Sequence, residues 1–303
     1  MDALPVLDQL PPDYAIERTS SALAAVHESA QEALHDAGWS ATRSPETSAS
    51  ALRGRKPLRE LRAGGELLLV RRFTHGGLLR WATGTRFRDP ERPFREILLS
   101  EHLHEAEIPT PRVVAARARR ASAGVGWNLE ILTRRVPGTS DLGIELARIQ
   151  RGELTVSVRR ALLRAFGAFV ARLHGANFLH ADLNPNNILV ETDSLAGSSP
   201  RLWVLDLDRS RVGPLKPEER VRNIGRLFRH VDRREGERGR SLSRSDYLRW
   251  LAGYAAGRAD RKELWNAVAT AHRQRRGHKF GWLLERSLGG ADPRAQASDP
   301  AAR

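Results

Sequence analysis

The apolar residues of this chain follow one pattern before residue 134 and another after it. In residues 52–134, short apolar runs are separated by glycine and proline breaks, a pattern typical of strands joined by tight turns. One segment in this region instead carries apolar residues at helical spacing. The pattern predicts strands over residues 58–62, 66–73, 112–118 and 127–133 and a helix over residues 93–106. We therefore expect a small antiparallel sheet with one helix packed on it.

Beyond residue 134 the pattern becomes mainly helical. Residues 158–174 carry a continuous apolar stripe at helical spacing, which predicts a strongly amphipathic helix. A polar loop follows, then strands over 188–190 and 201–205, and then a helical pattern from 217 to 288 with a charged interruption at 233–240. The fold class predicted is α+β with two lobes, a β-rich N-terminal lobe and a mainly helical C-terminal lobe.

The two ends of the chain differ from these lobes. Proline-rich and Ser/Thr-rich stretches surround a predicted helix over 20–37, and residues 43–50 have the composition of a flexible linker. The predicted division is an N-terminal extension (1–50), the N-terminal lobe (51–134), the C-terminal lobe (135–288) and a disordered tail (289–303).

Composition excludes several classes of protein but does not identify a partner. The chain has no cysteine, so disulfide scaffolds, thiolate nucleophiles, Cys-ligated zinc and iron–sulfur clusters are excluded. Its net charge of +14 suits nucleic acid, an anionic membrane or a phosphorylated substrate. Nearly all the basic residues are arginine, a bias that genome composition explains as well as binding does. An acidic N-terminus and the lack of a long apolar run predict a cytoplasmic protein.

The candidate chemistry lies in one polar loop and after the strand that follows it. His180, Asp182 and Asn187 occupy the loop, and Asp206 and Asp208 come directly after the apolar run 202–205. Carboxylate and amide oxygens are the ligands that Mg²⁺ takes from proteins, together with phosphate and water. Asp and Asn are also common in turns, and we expect Asp208 to cap the segment after it rather than to bind metal.

The spacing H-x-D-x-x-x-x-N, followed by D-x-D after a strand, resembles the catalytic loop and metal-binding aspartate of protein kinases. Other motifs accompany it in order: R-x-F-x-x-G-G, F-R-E, I-P-T-P, H-A-D-L-N-P-N-N and L-D-L-D-R. Together they resemble the lipopolysaccharide kinase (Kdo/WaaP) family, and most closely its 3-deoxy-D-manno-octulosonic acid (Kdo) kinase branch. The resemblance extends over residues 52–260. The motifs that carry it lie in segments 69–77, 93–99, 108–111, 180–187 and 205–209.

The resemblance implies a role for each residue of the motif. Asp182 matches the aspartate that accepts the acceptor's proton, and His180 the loop histidine, which is chiefly architectural. Asn187 and Asp206 match the two Mg²⁺ ligands that hold the nucleotide phosphates. Glu96 matches the helix glutamate that pairs with a phosphate-anchoring cation. The implied cofactors are therefore ATP and Mg²⁺.

The nucleotide-binding part of the motif departs from the usual kinase pattern. The strand position that normally holds lysine offers Arg71 or Arg72, and the register favours Arg71. A G-x-G-x-x-G loop is missing, which leaves the backbone around Gly54 and Lys56 as the candidate phosphate cover. Arginine can also hold phosphate, so these changes are compatible with activity.

The implied reaction is ATP-dependent phosphorylation of a Kdo hydroxyl, O-4, on Kdo-lipid A during lipopolysaccharide core biosynthesis. The enzyme would work peripherally on the anionic cytoplasmic face of the inner membrane. Arg222, Arg226 and Arg229 form a candidate patch for anionic lipid or acceptor, although a solvated helix face is an equal alternative. The alternative hypotheses are an inner-core heptose kinase, another small-molecule kinase and a non-catalytic pseudokinase scaffold. Nucleic acid is not an expected partner, because no nucleic-acid motif accompanies the charge.

Overall fold

The computed structural model describes residues 5–53, 57–74, 86–121 and 125–274. The helices of these ranges are α1 (Glu28–Asp36), α2 (Arg92–Glu105), α3 (Leu142–Gln150), α4 (Val156–Gly175), α5 (Pro217–Arg238), α6 (Arg244–Tyr254) and α7 (Arg261–Gln274). The strands are β1 (Tyr14–Arg18), β2 (Ala22–His27), β3 (Ser48–Arg53), β4 (Pro57–Ala63), β5 (Glu66–Arg72), β6 (Val113–Arg120), β7 (Trp127–Arg134), β8 (Thr139–Asp141), β9 (Phe178–Leu179), β10 (Ile188–Glu191), β11 (Leu202–Val204) and β12 (Arg211–Val212).

The N-terminal lobe is a seven-stranded antiparallel sheet in the order β1-β2-β6-β7-β5-β4-β3. Helix α2 covers one face, where Phe94 and Ile97 pack with Ile131 of β7. On the other face, Leu34 of α1 packs with Leu132 of β7. The predicted α+β class with an antiparallel sheet is confirmed, although two helices, rather than the one expected, pack on the sheet.

Residues 1–50 contain part of the predicted helix, as α1, but two strands of this segment, β1 and β2, belong to the sheet. Strand β2 lies between β1 and β6, and the helix predicted over 20–37 begins only at Glu28. Five of the six β2 residues are buried, since layers cover both faces of the sheet. Such a strand loses the apolar–polar alternation that identifies a half-buried strand, which is why its residues matched a helical pattern. The predicted boundary at residue 50 falls inside β3.

The C-terminal lobe is built around α4. Phe166, Val170 and Leu173 of α4 pack into a core shared with α5, α6 and the strands β10 and β11. The charged stretch 233–240, predicted to interrupt a helix, instead continues α5 as far as Arg238. Arginine and glutamate are good helix formers, and the helix ends at Gly239, whose φ is 89°. The predicted end of the helical region and the tail 289–303 lie outside the described residues.

Two small sheets place the polar loops. Strands β8, β10 and β11 form one antiparallel sheet, and β9 pairs with β12. The loop 180–187 connects β9 of one small sheet to β10 of the other, and it lies beside the end of β11. Within the described ranges, every helix is too short or too polar to cross a membrane.

Candidate active site

Side-chain amides fix the backbone of the polar loop. The carbonyl oxygen of Asp182 accepts hydrogen bonds from Nδ2 of Asn184 and Nδ2 of Asn187, each at 2.9 Å. Asn184 is buried, and its Oδ1 accepts from the Asn186 backbone N–H at 2.9 Å. The loop is thus held in one shape, which sets where the Asp182 and Asn187 side chains begin. Sequence reasoning did not single out Asn184, although its place in the N-P-N-N run was visible.

His180 connects this loop to the segment after β11. Its Nδ1 accepts from the Asp182 backbone N–H at 3.1 Å, and its Nε2 donates to the Leu205 carbonyl at 2.9 Å. These two bonds require a neutral ring with the proton on Nε2. Burial favours the same state, because it lowers the pKa of His180. The geometry supports the architectural role that the resemblance implied.

A second buried histidine extends this network into the helical lobe. Asn223 donates from Nδ2 to the His180 carbonyl at 2.8 Å, and its Oδ1 accepts from Nε2 of His174 at 3.1 Å. The Tyr254 hydroxyl lies 2.8 Å from Nδ1 of His174. Burial lowers the pKa of His174 to about 4. Sequence analysis missed this set, whose only signal was polar residues on apolar helix faces.

Asp206 lies at the end of β11 and beside Asn187. The Leu205 backbone N–H donates to the Asn187 carbonyl at 2.9 Å, which joins the two segments. Asp206 has a φ of 57°, in the left-handed region that non-glycine residues seldom occupy. Strain of this kind is most common at functional sites, where the surrounding structure maintains it. The Asp206 side chain is 43% exposed, so a ligand can reach it.

Arg71 joins the sheet, helix α2 and Asp206. Its guanidinium pairs with the buried carboxylate of Glu96, and its Nη1 donates to Asp206 Oδ1 at 2.7 Å. Burial alone would lower the pKa of Arg71, but the charges of these two carboxylates outweigh burial and raise that pKa above its ordinary value. Burial raises the pKa of Glu96, and the charge of Arg71 opposes that rise. The predicted Arg71–Glu96 pair is present, whereas Arg72 bonds to Glu130 at 3.1 Å.

Asp208 does not behave as the capping residue that we expected. Arg92 of α2 binds both of its carboxylate oxygens, with 2.7 Å between Arg92 Nε and Asp208 Oδ1. The Arg92 guanidinium also lies over the rings of Phe73 and Phe87, at 5.3 and 5.0 Å from their centroids. A cation packed on aromatic faces and paired with a carboxylate is held rigidly. Both aspartates of D-x-D thus pair with arginines of the N-terminal lobe, and Arg92 was not predicted.

The remaining predicted residues divide into two groups. Gly54 and Lys56, the candidate phosphate cover, lie outside the described residues, as does the G-G pair of the R-x-F-x-x-G-G motif. The three arginines of the predicted patch all lie on α5, and they line one cavity beside His180 and Ala181.

Two side-chain oxygens at the junction of the loop and β11 suit a magnesium ion. The Asn187 amide nitrogen is engaged with the Asp182 carbonyl, so its oxygen is the atom available to a cation. The Asp206 carboxylate supplies the second. No cluster of three or more His, Cys, Asp or Glu that could hold a metal occurs in the described ranges. A site of this kind fits Mg²⁺, which takes one or two protein groups and completes its shell with phosphate and water.

Comparison with known proteins gives a family model and a set of relatives. The model of the lipopolysaccharide kinase (Kdo/WaaP) family matches residues 82–254. The chain is 30% identical over 193 residues to the 3-deoxy-D-manno-octulosonic acid kinase of Actinobacillus succinogenes, covering 61% of this chain and 74% of that protein. It is 27% identical over 191 residues to the enzyme of the same name from Haemophilus influenzae (strain PittEE), with the same shares covered.

A solved structure shares the fold. The structure titled "WaaP in complex with acyl carrier protein" matches with a TM-score of 0.54 and 21% sequence identity. The match covers 75% of this chain and 88% of that chain. At this identity the likeness establishes the fold alone.

Proposed function

The chain belongs to the lipopolysaccharide kinase (Kdo/WaaP) family, and on that basis we propose that it transfers the γ-phosphate of ATP to O-4 of Kdo on lipid A. It is a phosphotransferase that acts on a sugar hydroxyl. The acceptor sugar, the position and the individual residue roles are the proposal. The observation that carries it is the convergence of Arg71, Glu96 and Asp206 beside the loop of Asp182 and Asn187.

In this mechanism Asp182 accepts the proton of the attacking hydroxyl. A base of this kind acts when its carboxylate lies within hydrogen-bond reach of the hydroxyl. The two amide bonds to the Asp182 carbonyl support this role, because they fix the backbone from which the carboxylate extends. Orientation of this kind contributes much of the rate in phosphoryl transfer.

Arg71, Asn187 and Asp206 hold the nucleotide phosphates in the proposed complex. Mg²⁺, when bound, neutralises charge that develops on the transferred phosphoryl group. Asn187 and Asp206 are the residues that would hold it. Arg71 supplies a fixed positive charge in place of the usual lysine, and its planar fork can bind two phosphate oxygens at once. Glu96 keeps that fork oriented, and its own burial makes the pairing stronger than a solvated one.

We also propose that the enzyme works peripherally on the cytoplasmic face of the inner membrane. The support is the net charge of +14 together with a glycolipid acceptor. Basic residues near an anionic surface each add roughly 1 kcal/mol of attraction, which salt screens. Co-sedimentation with anionic vesicles should therefore fall as salt rises, while zwitterionic vesicles should bind little at any salt concentration. Equal binding to both kinds of vesicle would contradict the proposed location.

A comparison of acceptors tests the proposed reaction. Purified protein is incubated with γ-labelled ATP, Mg²⁺ and either Kdo-lipid A or an inner-core acceptor whose free hydroxyls lie on heptose. We expect label on Kdo-lipid A, and NMR of the product should place the phosphate on O-4. Transfer to heptose alone would identify an inner-core heptose kinase. ATP binding without transfer to any acceptor would instead indicate a pseudokinase.

A further inference from the structure

A cavity of about 460 Å³ opens beside the catalytic loop, and arginine dominates its lining. Leu179, His180 and Ala181, the residues just before Asp182, form part of its wall. The arginines that line it are Arg209, Arg211, Arg222, Arg226 and Arg229.

Positive charge exceeds negative charge in this cavity. Glu219 is its one acidic lining residue, and it is already engaged by Arg211 and by the Lys216 backbone N–H at 2.9 Å. These two contacts hold the pKa of Glu219 below its ordinary value, so its charge is matched within the protein. Five arginines against one glutamate leave a surplus of positive charge facing the cavity. A concave surface with this surplus attracts an anion.

The arginines come from two segments, helix α5 and residues 209–211. Each segment is hydrogen-bonded to the candidate active site, α5 through Asn223 and the other through Asp208. Arg222, Arg226 and Arg229 lie three and four residues apart on α5, so they share one face of that helix. Arg209 directly follows Asp208, which Arg92 anchors, and its φ of 61° is another left-handed backbone at a non-glycine residue. The surrounding structure therefore maintains strained geometry where Arg209 reaches the cavity.

The cavity is separate from the residues assigned to the nucleotide. None of Arg71, Glu96, Asn187 or Asp206 is among its lining residues. Asn223 lines it and also donates to the His180 carbonyl, which ties the cavity wall directly to the catalytic loop. A molecule held there would contact Ala181, the residue directly before the proposed base, Asp182.

We propose that this cavity is the acceptor subsite, and that Arg222 and Arg226 bind an anionic group of the acceptor, a carboxylate or a phosphate. The assignment rests on the proposed function and adds the chemistry by which the acceptor is recognised. Guanidinium groups bind both anions through paired N–H···O bonds, which fix orientation as well as add affinity. Anchoring the acceptor by its charge would place one hydroxyl at Asp182 and leave the others out of reach.

The test measures the acceptor KM with a water-soluble acceptor whose acyl chains have been removed, so that membrane binding does not contribute. The variants are Arg222→Gln and Arg226→Gln, with Arg226→Lys to retain charge without the fork. Arg160→Gln is the matched control, because Arg160 is exposed on α4, does not line the cavity and loses the same charge. Each variant is assayed with the intact acceptor, with one whose carboxylate is reduced to an alcohol, and with one lacking the lipid A phosphates.

We expect each glutamine variant to raise the KM for the intact acceptor by about tenfold to a hundredfold, the usual effect of losing a hydrogen bond to a charged group. The KM for ATP and the melting temperature should match those of Arg160→Gln. Arg226→Lys should recover part of the loss. The rise should disappear with the carboxyl-reduced acceptor if the bound anion is the sugar carboxylate, and with the dephosphorylated acceptor if it is a phosphate.

Three results would overturn the assignment. The first is an acceptor KM equal to that of Arg160→Gln in both glutamine variants. The second is a rise of the same size with both modified acceptors, which would show a structural effect. The third is a loss of binding to anionic vesicles with an unchanged KM for the soluble acceptor, which would make the arginines a membrane contact. If the wild-type protein transfers no phosphate to any acceptor, the proposed function itself is overturned, and this result differs from all three above.

Discussion

At the scale of single residues, the site depends on charges and amides whose partners lie far away in sequence. Arg71 is 135 residues from Asp206, and the two are joined at 2.7 Å. His180 is buried, and its ring connects the loop backbone to the Leu205 carbonyl. The residues that make the site rigid are thus as important as those expected to touch ATP.

Arg71→Ala should weaken both ATP binding and turnover. The change leaves the buried Glu96 without its cation and removes the fixed charge proposed to face the phosphates, so we expect the KM for ATP to rise by about tenfold or more. Steady-state kinetics measures this. Arg72→Ala is the control, since Arg72 is half exposed and contacts Glu130 instead. ATP affinity and turnover equal to wild type in Arg71→Ala would show that the anchoring cation is another residue.

The buried His174 should make stability depend on pH. Burial lowers its pKa from 6.5 to about 4, so the folded state keeps the ring neutral while the unfolded chain protonates it. This contribution is fully present above pH 6.5 and is lost as the pH falls towards 4, by on the order of 3 kcal/mol. Urea unfolding across that range should show a flatter profile for His174→Gln than for wild type.

His35→Gln is the matched control for this experiment, because His35 is 88% exposed. Its profile should follow that of wild type throughout the range. A wild-type slope in His174→Gln would mean that other groups carry the pH dependence.

At the scale of secondary-structure elements, close packing of α4 against α6 positions His174, which is hydrogen-bonded through Asn223 to the loop 180–187. Helices α4 and α6 approach through two glycines. A Cβ on Gly167 would lie 1.9 Å from the Trp250 carbonyl oxygen, and one on Gly253 would lie 2.0 Å from that of Arg164. The two backbones are in direct contact, and this contact fixes His174 and Tyr254 against each other.

Gly167→Ala should therefore destabilise the protein by about 1–3 kcal/mol or more, because the helices must separate to admit the methyl group. Gly236→Ala on α5 is the matched control. Apart from its chain neighbours and the backbone of its own helix, nothing lies within 4 Å of its added Cβ, so the better helix propensity of alanine should stabilise by up to about 1 kcal/mol. Denaturant unfolding compares the two. Equal effects of both substitutions would contradict the close crossing.

The sequence predicted some elements well, and local pattern explains which ones. Strands β4 and β5 and helices α2 and α4 were predicted because each has one apolar face, and the more fully buried β6 and β7 because proline or glycine breaks bound their apolar runs. Strand β2 was missed because both of its faces are buried and no glycine or proline separates it from α1, so its apolar residues continued the helical spacing of α1. Some residues of the candidate site were likewise predicted from local sequence and others were not. The loop motif is local and was visible, and Asn184 lies within it, whereas the roles of Arg92, Asn223 and the cavity arginines Arg209 and Arg211 depend on long-range packing.

At the scale of the whole molecule, two ion pairs connect the lobes at the D-x-D motif. Arg71 from β5 contacts Asp206, and Arg92 from α2 contacts Asp208. The Thr110 hydroxyl adds a third connection, since it donates to the Val204 carbonyl at 2.9 Å. One of these connections, Arg71–Asp206, thus uses residues that are proposed to hold phosphate and metal.

The Arg92–Asp208 pair should show strong coupling in a double-mutant cycle. Both side chains are 18% exposed, and the arginine is also stacked on two aromatic rings. We expect the unfolding free energies of Arg92→Ala, Asp208→Ala and the double variant to give a coupling of about 1–3 kcal/mol. The exposed pair Arg258–Asp260 is the control and should give less than about 1 kcal/mol. Additive effects at Arg92 and Asp208 would show that the pair does not connect the lobes.

Phosphate transfer by Asp182→Asn is the most direct test of the whole account. The substitution keeps the shape of the side chain and removes its ability to accept a proton. With Kdo-lipid A, Mg²⁺ and γ-labelled ATP, we expect turnover to fall by about a hundredfold or more while ATP binding is retained. Asp193→Asn, at an exposed position after β10, is the control and should transfer label at the wild-type rate. Wild-type turnover in Asp182→Asn would contradict the assignment of Asp182 as the base.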